Sequence, residues 1–299
     1  MVAEQAGSVR SPSAGVGWGL LGTLAFSGTL PATRMTVGAL EPVMTGLGRE
    51  VVAGVLAGVA LGARSSPRPA GRQWAQLAVV AIGVVVGWPL LVTLALQQTP
   101  AVHGAVVVGL VPLFTAVFAI VIAGERAGRG FWILNGIGVA AVLGYGIAEG
   151  AGVPRAADLL LLGAAALCGL GFAAGGQLAR SFGAWRVICW ALVLSLPVLV
   201  PVVLAAMWES RLPSEPRAWL GFAYLATVSA FGGFFAWYRG LALGGIARIG
   251  QLQLLSPVLA GLWSTVLLGE RLAWPAVTAA GAVTACAFLL QRESFGRTS

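Results

Sequence analysis

An apolar run between Val111 and Arg126 reads VPLFTAVFAIVIAGER, and it carries no charged residue before Glu125. The same arrangement returns between Ser256 and Arg271 as SPVLAGLWSTVLLGER. In both copies the proline precedes the glutamate by 13 positions (125 minus 112; 270 minus 257), and the matched residues lie 145 positions apart. We infer that the chain is a tandem duplication.

The whole chain shares the apolar character of these two segments. Hydrophobic residues make up 58% of its 299 residues, charged residues only 9%, and the mean hydropathy is +0.91. The core of a water-soluble domain does not hold so much apolar surface. In lipid, a helix is the open-chain form that satisfies every backbone N–H and C=O group. The composition therefore predicts an all-α membrane protein.

Arg, Glu, Pro and Gly-rich turns divide the chain into ten apolar segments of roughly 20 residues, the length that crosses about 30 Å of hydrocarbon. The predicted spans are Gly15 to Thr33, Pro42 to Ala63, Trp74 to Leu96, Ala101 to Ala123, Gly130 to Ala148, Ala157 to Leu178, Trp185 to Met207, Ala218 to Leu241, Ile246 to Leu268 and Trp274 to Leu290. Five spans per copy is an odd number, so the second copy must be upside down relative to the first. We predict ten transmembrane helices as two inverted five-helix repeats, over residues 15–149 and 155–291.

The net charge of +8 arises from 18 basic residues, all of them Arg. They form no Arg-rich face, so we expect no nucleic-acid partner and interpret the excess as a topology signal. A cytoplasmic N-terminus, with Met1 to Ala14 as a retained tail, places 12 Arg inside and five outside. The inside set is Arg10, Arg64, Arg68, Arg72, Arg126, Arg129, Arg180, Arg186, Arg239, Arg248, Arg292 and Arg297; the outside set is Arg34, Arg155, Arg211, Arg217 and Arg271. This asymmetry predicts a protein of the cytoplasmic (inner) membrane with both termini in the cytoplasm.

Pro112 and Pro257 are predicted to lie near the middle of spans four and nine. Each proline leaves the carbonyl four residues earlier, Val108 or Gln253, without its helical partner. A carbonyl freed at mid-membrane needs a donor from protein, water or substrate. The symmetric placement favours a solute pathway, and a packing kink is the alternative. Two equivalent packings, one open to each side, make alternating access the default hypothesis.

These segments resemble the signature of EamA-type members of the drug/metabolite transporter superfamily. The likeness covers both halves, about residues 17–146 and 157–290. The residues that carry it are Pro112 and Gly124-Glu125-Arg126 in the first copy, and the stretch FAWYRGLAL from Phe235, Ser256-Pro257 and Gly269-Glu270-Arg271 in the second. The resemblance implies ten helices, a central cavity between the halves and export of amino acids or other small metabolites, and it does not fix the substrate.

Arg49 and Glu50 are an ionisable pair about two turns into the second span, where a charged group is expensive. We predict that Glu50 carries a proton or contacts a substrate ammonium, and that Arg49 meets a carboxylate. Alternatively, Arg49 reaches toward the outer headgroups and Glu50 packs against a polar neighbour. Adjacent helical positions point about 100° apart, so we expect no direct pairing between the two side chains.

Other polar and aromatic residues complete the predicted pathway. His103, the single histidine, and Arg248, which matches it 145 positions later, are candidate gate residues at opposite ends of the membrane. Gln251 and Gln253 point to nearly opposite faces of one helix, and we favour Gln251 as cavity lining. The full set of predicted pathway residues is Ser27, Arg49, Glu50, Trp88, His103, Pro112, Trp237, Gln251, Gln253 and Pro257.

Glu125 and Glu270, at helix ends, are predicted to be structural, as caps or as partners of a nearby Arg. We expect no cofactor, metal site or catalytic residue: the Cys residues lack paired spacing, no hydrolase motif is present, and a phosphate-binding loop needs a Lys. The favoured function is a secondary transporter that exports amino acids or related small metabolites. Efflux of cationic drugs or lipids and a non-transporting scaffold are the alternatives. Expected partners are a small-molecule substrate and the lipid bilayer, with protons a candidate; oligomeric state is left open.

Overall fold

The computed structural model describes residues 12–36, 39–96, 98, 109–126, 128–148, 156–208 and 215–268. Every secondary-structure element within these ranges is a helix. The helices are α1 (Pro12–Ser27), α2 (Thr29–Thr36), α3 (Met44–Ala63), α4 (Arg72–Ala95), α5 (Val111–Ala123), α6 (Arg129–Ala148), α7 (Ala156–Phe182), α8 (Ala184–Trp208), α9 (Pro216–Gly244), α10 (Ile246–Gly250) and α11 (Ser256–Leu268). Within the described part of the chain, five helices are long and apolar enough to cross a membrane: α3, α4, α7, α8 and α9.

The described helices follow the predicted spans closely. Each of the first nine spans contains at least one of them, and the tenth, Trp274 to Leu290, lies outside the described residues. The first span differs from the prediction because it divides at Gly28 into α1 and α2. The Tyr224 hydroxyl donates to the Ala25 carbonyl there at 2.8 Å. A Cβ on Gly28 would lie 2.3 Å from that hydroxyl, so the glycine makes room for the ring.

The backbone repeats the 145-residue offset of the sequence. Helices α5 and α11 begin at Val111 and Ser256 and end at Ala123 and Leu268, so both ends are 145 positions apart. Helices α4 and α9 each contain a π-helical stretch, at Ala81–Gly87 and Leu225–Gly232. The glycines that end the two stretches are again 145 positions apart. A third π-helical turn, Met44–Gly48, opens α3. The matched irregularities support a duplicated chain.

Each repeated proline lies in the first turn of an α-helix, so the expectation that it frees a carbonyl does not hold at Gln253. Pro112 and Pro257 are the second residues of α5 and α11. Because the first helical turn leaves its N–H groups unpaired, a proline there loses no hydrogen bond. The carbonyl of Gln253, predicted to be freed, accepts the N–H of Ser256 at the end of the 3₁₀ turn Gln251–Leu255. Val108 lies outside the described residues.

Glycines bring α1, from the first copy, against the second part of α9, from the second copy. A Cβ on Gly15 would lie 2.5 Å from the Cα of Gly244, and a Cβ on Gly240 would lie 2.6 Å from the nitrogen of Gly19. In lipid, no hydrophobic driving force brings helices together. Small residues instead allow the backbones to approach closely, so that the helices associate through van der Waals packing. The two copies are thus held together along this line of close glycine contacts, the glycine seam, which is formed by Gly15, Gly19, Gly240 and Gly244.

Candidate functional site

A cavity of about 160 Å³ lies between the two copies. Its walls come from α1 to α4 and the start of α5 in the first copy, and from α7, α9 and α11 in the second. Each π-helical stretch supplies part of the wall, through Thr45 and Gly46, Val84, and Ser229 and Ala230. Such stretches often occur at functional sites. An apolar cavity of about 150 Å³ holds one benzene-sized molecule, so this cavity fits a small solute.

Arg49 and Glu50 lie in the cavity wall as a buried ion pair. The Nε of Arg49 donates to Oε1 of Glu50 at 3.1 Å, and the side chains are only 8% and 4% exposed. The expectation that the two do not pair was therefore wrong. The 100° between adjacent positions separates their Cβ directions, whereas the long arginine stem reaches around the helix to its neighbour. The alternative in which Arg49 extends toward the headgroups does not describe this side chain.

The pair keeps unused hydrogen-bonding capacity. Among the described residues, the Nε–Oε1 bond is the single hydrogen bond of either side chain. Arginine has five N–H donors in a planar fork and an ionised carboxylate has two acceptor oxygens. The terminal nitrogens of Arg49 can therefore bind an anionic group that enters the cavity, and the second oxygen of Glu50 can bind a cationic one.

Three phenylalanines form an aromatic wall of the cavity: Phe26, Phe172 and Phe234. The ring centroids of Phe26 and Phe234 are 4.8 Å apart in an edge contact, and Phe172 lies 6.2 Å from Phe234. Trp88 also lines the cavity. Trp237, predicted as a pathway residue, lies fully buried against Phe26 and Phe172 at 5.9 and 5.1 Å. It supports the wall rather than forming it, and the sequence analysis missed the phenylalanines in front of it.

Of the two glutamines in the predicted pathway set, Gln253 is in the cavity wall and the favoured Gln251 is not. Gln253 lines the cavity, whereas Gln251 is fully buried away from it. The Nε2 of Gln251 donates to the carbonyls of Pro112 at 3.3 Å and Ala247 at 3.5 Å. The reason is local geometry: Gln251–Leu255 form a 3₁₀ turn, so the faces expected for an α-helix do not apply. Gln251 thereby joins the start of α5 to the second copy.

Three other predicted pathway residues lie in the cavity wall or next to it: Ser27, Pro112 and Pro257. Ser27 lines the cavity, donates to the Leu24 carbonyl at 2.7 Å and accepts the indole N–H of Trp263 at 3.0 Å. The cavity wall includes Val111 and Ser256, which directly precede Pro112 and Pro257. His103 lies outside the described residues. The wall also holds a hydroxyl pair that joins α2 to α9: the side-chain oxygens of Thr29 and Ser229 are 2.8 Å apart.

Glu125 lies beyond the end of α5, on the side away from the cavity. Its Oε1 forms an ion pair with Arg180 and accepts the N–H of Ile246 at 2.9 Å, and its Oε2 accepts the N–H of Ala247 at 2.8 Å. Both contacts predicted for Glu125, a helix cap and an Arg partner, are present. Its counterpart Glu270 lies outside the described residues. Over the ranges that the structure describes, no group of three or more His, Cys, Asp or Glu side chains is placed to hold a metal ion.

Known proteins resemble this chain in sequence and in fold. The profile of the EamA-like transporter family matches the chain twice, at residues 13–147 and 155–292. The chain belongs to this family. It is also 43% identical over 278 residues to the "Uncharacterized transporter YdeK" of Bacillus subtilis (strain 168), an alignment that covers 92% of this chain and 97% of that protein. A solved structure described as "Crystal structure of protein" shares the fold, with a TM-score of 0.77 at 20% identity over 95% of this chain and 99% of its own.

Membership of the EamA-like family confirms the resemblance seen in the sequence. It makes the chain a multi-pass membrane transporter, whose partners are the bilayer and a small-molecule substrate. The two matched segments correspond to the two copies whose helices enclose the cavity.

Proposed function

We propose that this chain is a secondary transporter that exports amino acids or related small zwitterionic metabolites by alternating access. The observation that carries the proposal is the Arg49–Glu50 pair in the cavity wall, with hydrogen-bonding groups left over on both partners. An α-amino acid presents a carboxylate and an ammonium one carbon apart. Arg49 would bind the carboxylate through its terminal nitrogens and Glu50 the ammonium, with charge-assisted hydrogen bonds to both.

The charge balance of the site favours a neutral solute. The adjacent guanidinium and carboxylate neutralise each other, and a zwitterion adds no net charge to a cavity from which water is partly removed. A solute with one uncompensated charge would bring a net charge into this cavity, which is costly. The aromatic wall and the volume of about 160 Å³ favour a small solute with an apolar side chain.

The architecture that we propose is ten transmembrane helices in two inverted five-helix repeats, over residues 15–149 and 155–291. The matched bounds of α5 and α11 and the matched π-helical stretches of α4 and α9 support the duplication. The Arg distribution supports an inner-membrane protein with both termini in the cytoplasm. Glu50, the acidic residue in the cavity wall, is the group through which protons would couple to transport.

Flux measurements in proteoliposomes test the proposed function. The purified chain would be reconstituted and offered a panel of radiolabelled amino acids, with and without an imposed pH gradient. We expect saturable flux of neutral amino acids that is lost in Arg49→Gln and retained in the matched control Arg68→Gln, whose side chain is exposed in the loop before α4. Equal flux in Arg49→Gln and the unsubstituted chain would contradict the proposal.

Efflux of cationic drugs or lipids is the second candidate, and one observation favours it. Glu50 shares the cavity with aromatic side chains, and carboxylates and aromatic faces both attract organic cations. Glu50→Gln separates the two functions. Loss of organic-cation efflux with amino-acid flux intact would favour the second candidate, whereas loss of amino-acid flux favours the first.

A further inference from the structure

The cavity and the contacts of Glu125 are separated along the two helices that contribute to both, α5 and α7. In α7, Phe172 lines the cavity and Arg180 binds Glu125. Phe172 and Arg180 are eight residues apart, which is about 12 Å along the helix axis. In α5, Val111 lines the cavity and Ala123 ends the helix one residue before Gly124 and Glu125, about 18 Å away. The charge-assisted contacts of Glu125 therefore lie about 12–18 Å along the helix axes from the residues that line the cavity.

We propose that Glu125 is the latch that keeps this end of the transporter shut, and that its contacts must break before the cavity opens there. Glu125 belongs to the first copy, whereas Arg180, Ile246 and Ala247 belong to the second. One carboxylate thus joins the end of α5 to the end of α7 and the start of α10. The proposal rests on the proposed alternating access, which requires contacts between the two copies that differ between its states.

The geometry suits a contact that forms and breaks as a unit. Both carboxylate oxygens of Glu125 are used, so its withdrawal releases the Arg180 pair and two backbone N–H groups together. Those N–H groups follow directly on Gly245, whose φ of 90° is a conformation that glycine adopts readily. Gly245 is the single residue between α9 and α10, so a change at one backbone position can turn α10 away from Glu125.

A cysteine of the chain itself reports which end is open. Cys168 is a free thiol that is 4% exposed and lines the cavity, whereas Cys189 is 0% exposed and does not line it. In a background with Cys189→Ala and Cys286→Ala, a membrane-impermeant methanethiosulfonate reagent would be applied to either face of sealed vesicles of both orientations. With the latch intact, we expect Cys168 to react from the face opposite Glu125 only.

Substitution of Glu125 should change the sidedness of labelling. We expect Glu125→Ala to raise the rate of Cys168 modification from the latch face by about tenfold or more, because it removes three charge-assisted contacts. Arg180→Ala removes the ion pair and keeps both N–H contacts, so we expect a smaller increase. Glu215→Ala is the matched control: this exposed carboxylate precedes α9 and caps no N–H group there. It should leave labelling unchanged.

Unchanged sidedness in both Glu125→Ala and Arg180→Ala would overturn the proposal, and so would labelling of the intact chain from both faces or from neither. Arg180→Ala also provides the test if Glu125→Ala fails to fold. The readout does not depend on the solute. Absence of amino-acid flux would contradict the proposed substrate, whereas the labelling pattern reports on the latch alone.

Discussion

Removal of one member of the Arg49–Glu50 pair should destabilise the protein far more than removal of both. Glu50→Leu leaves the guanidinium of Arg49, 8% exposed, without its carboxylate. Breaking a buried pair by removing one partner costs about 3–5 kcal/mol. Because both side chains border a cavity that water can enter, we expect the lower end, about 3 kcal/mol.

The double variant Arg49→Met/Glu50→Leu leaves no charge behind. Replacing a buried ion pair by apolar residues of similar volume is often neutral or stabilising, so we expect a change within about 1 kcal/mol of the unsubstituted chain. The free energy of unfolding would be measured for the two single variants and the double variant, in the same detergent and at several denaturant concentrations. With about 3 kcal/mol for each single variant and a change near zero for the double variant, the coupling energy from this double-mutant cycle should be about 6 kcal/mol in magnitude.

Additive destabilisation would refute this reasoning. If the double variant were as unstable as the sum of the two single variants, each side chain would contribute independently, and the pair would not be the unit that we describe. The control is Arg68→Met, which removes an exposed Arg from the loop before α4 and should change the free energy of unfolding by less than about 0.5 kcal/mol.

Three further predictions concern the backbone and the glutamines. Gly240→Ala should destabilise the protein by about 1–3 kcal/mol, because its Cβ would lie 2.6 Å from a backbone nitrogen of α1. A Cβ on Gly17 would have no atom within 4 Å, so Gly17→Ala should be tolerated, and thermal unfolding distinguishes the two variants. Gly245→Ala places a side chain at a φ of 90° and should cost about 1–3 kcal/mol in the free energy of unfolding. Gln253→Ala should lower solute flux without loss of stability, whereas Gln251→Leu should lower the free energy of unfolding by about 1 kcal/mol. The reverse pattern in flux and unfolding assays would contradict the assignment of the cavity wall.

The helical class and the positions of the helices could be predicted because they follow from bilayer thickness and backbone hydrogen bonding. Val111 and Ser256 were matched in the sequence by spacing alone, and both begin a helix in the structure. The role of Glu125 was also predictable, since a carboxylate at a helix end in lipid needs a cationic or N–H partner. These features depend on short stretches of chain and on the solvent.

The details of the site depend on departures from regular α-helix, which apolar periodicity does not reveal. Gln253 rather than the favoured Gln251 lines the cavity because their segment is a 3₁₀ turn, and Arg49 pairs with its neighbour directly after a π-helical turn. Phe172 and Phe234 form a wall with Phe26 only once three helices are packed. No sequence pattern distinguishes these three from the other phenylalanines among the chain's 12.

The glycine seam between α1 and α9 has a consequence for the origin of the chain. In the inverted arrangement that we propose, a single-copy ancestor would bury such a strip of glycines against a second subunit inserted in the opposite orientation. Joining both subunits in one polypeptide removes the need for dual insertion and lets each copy specialise. The present chain has done so: Arg49 and Glu50 occur in the first copy, whereas Leu194 and Ser195 stand 145 positions later in the second.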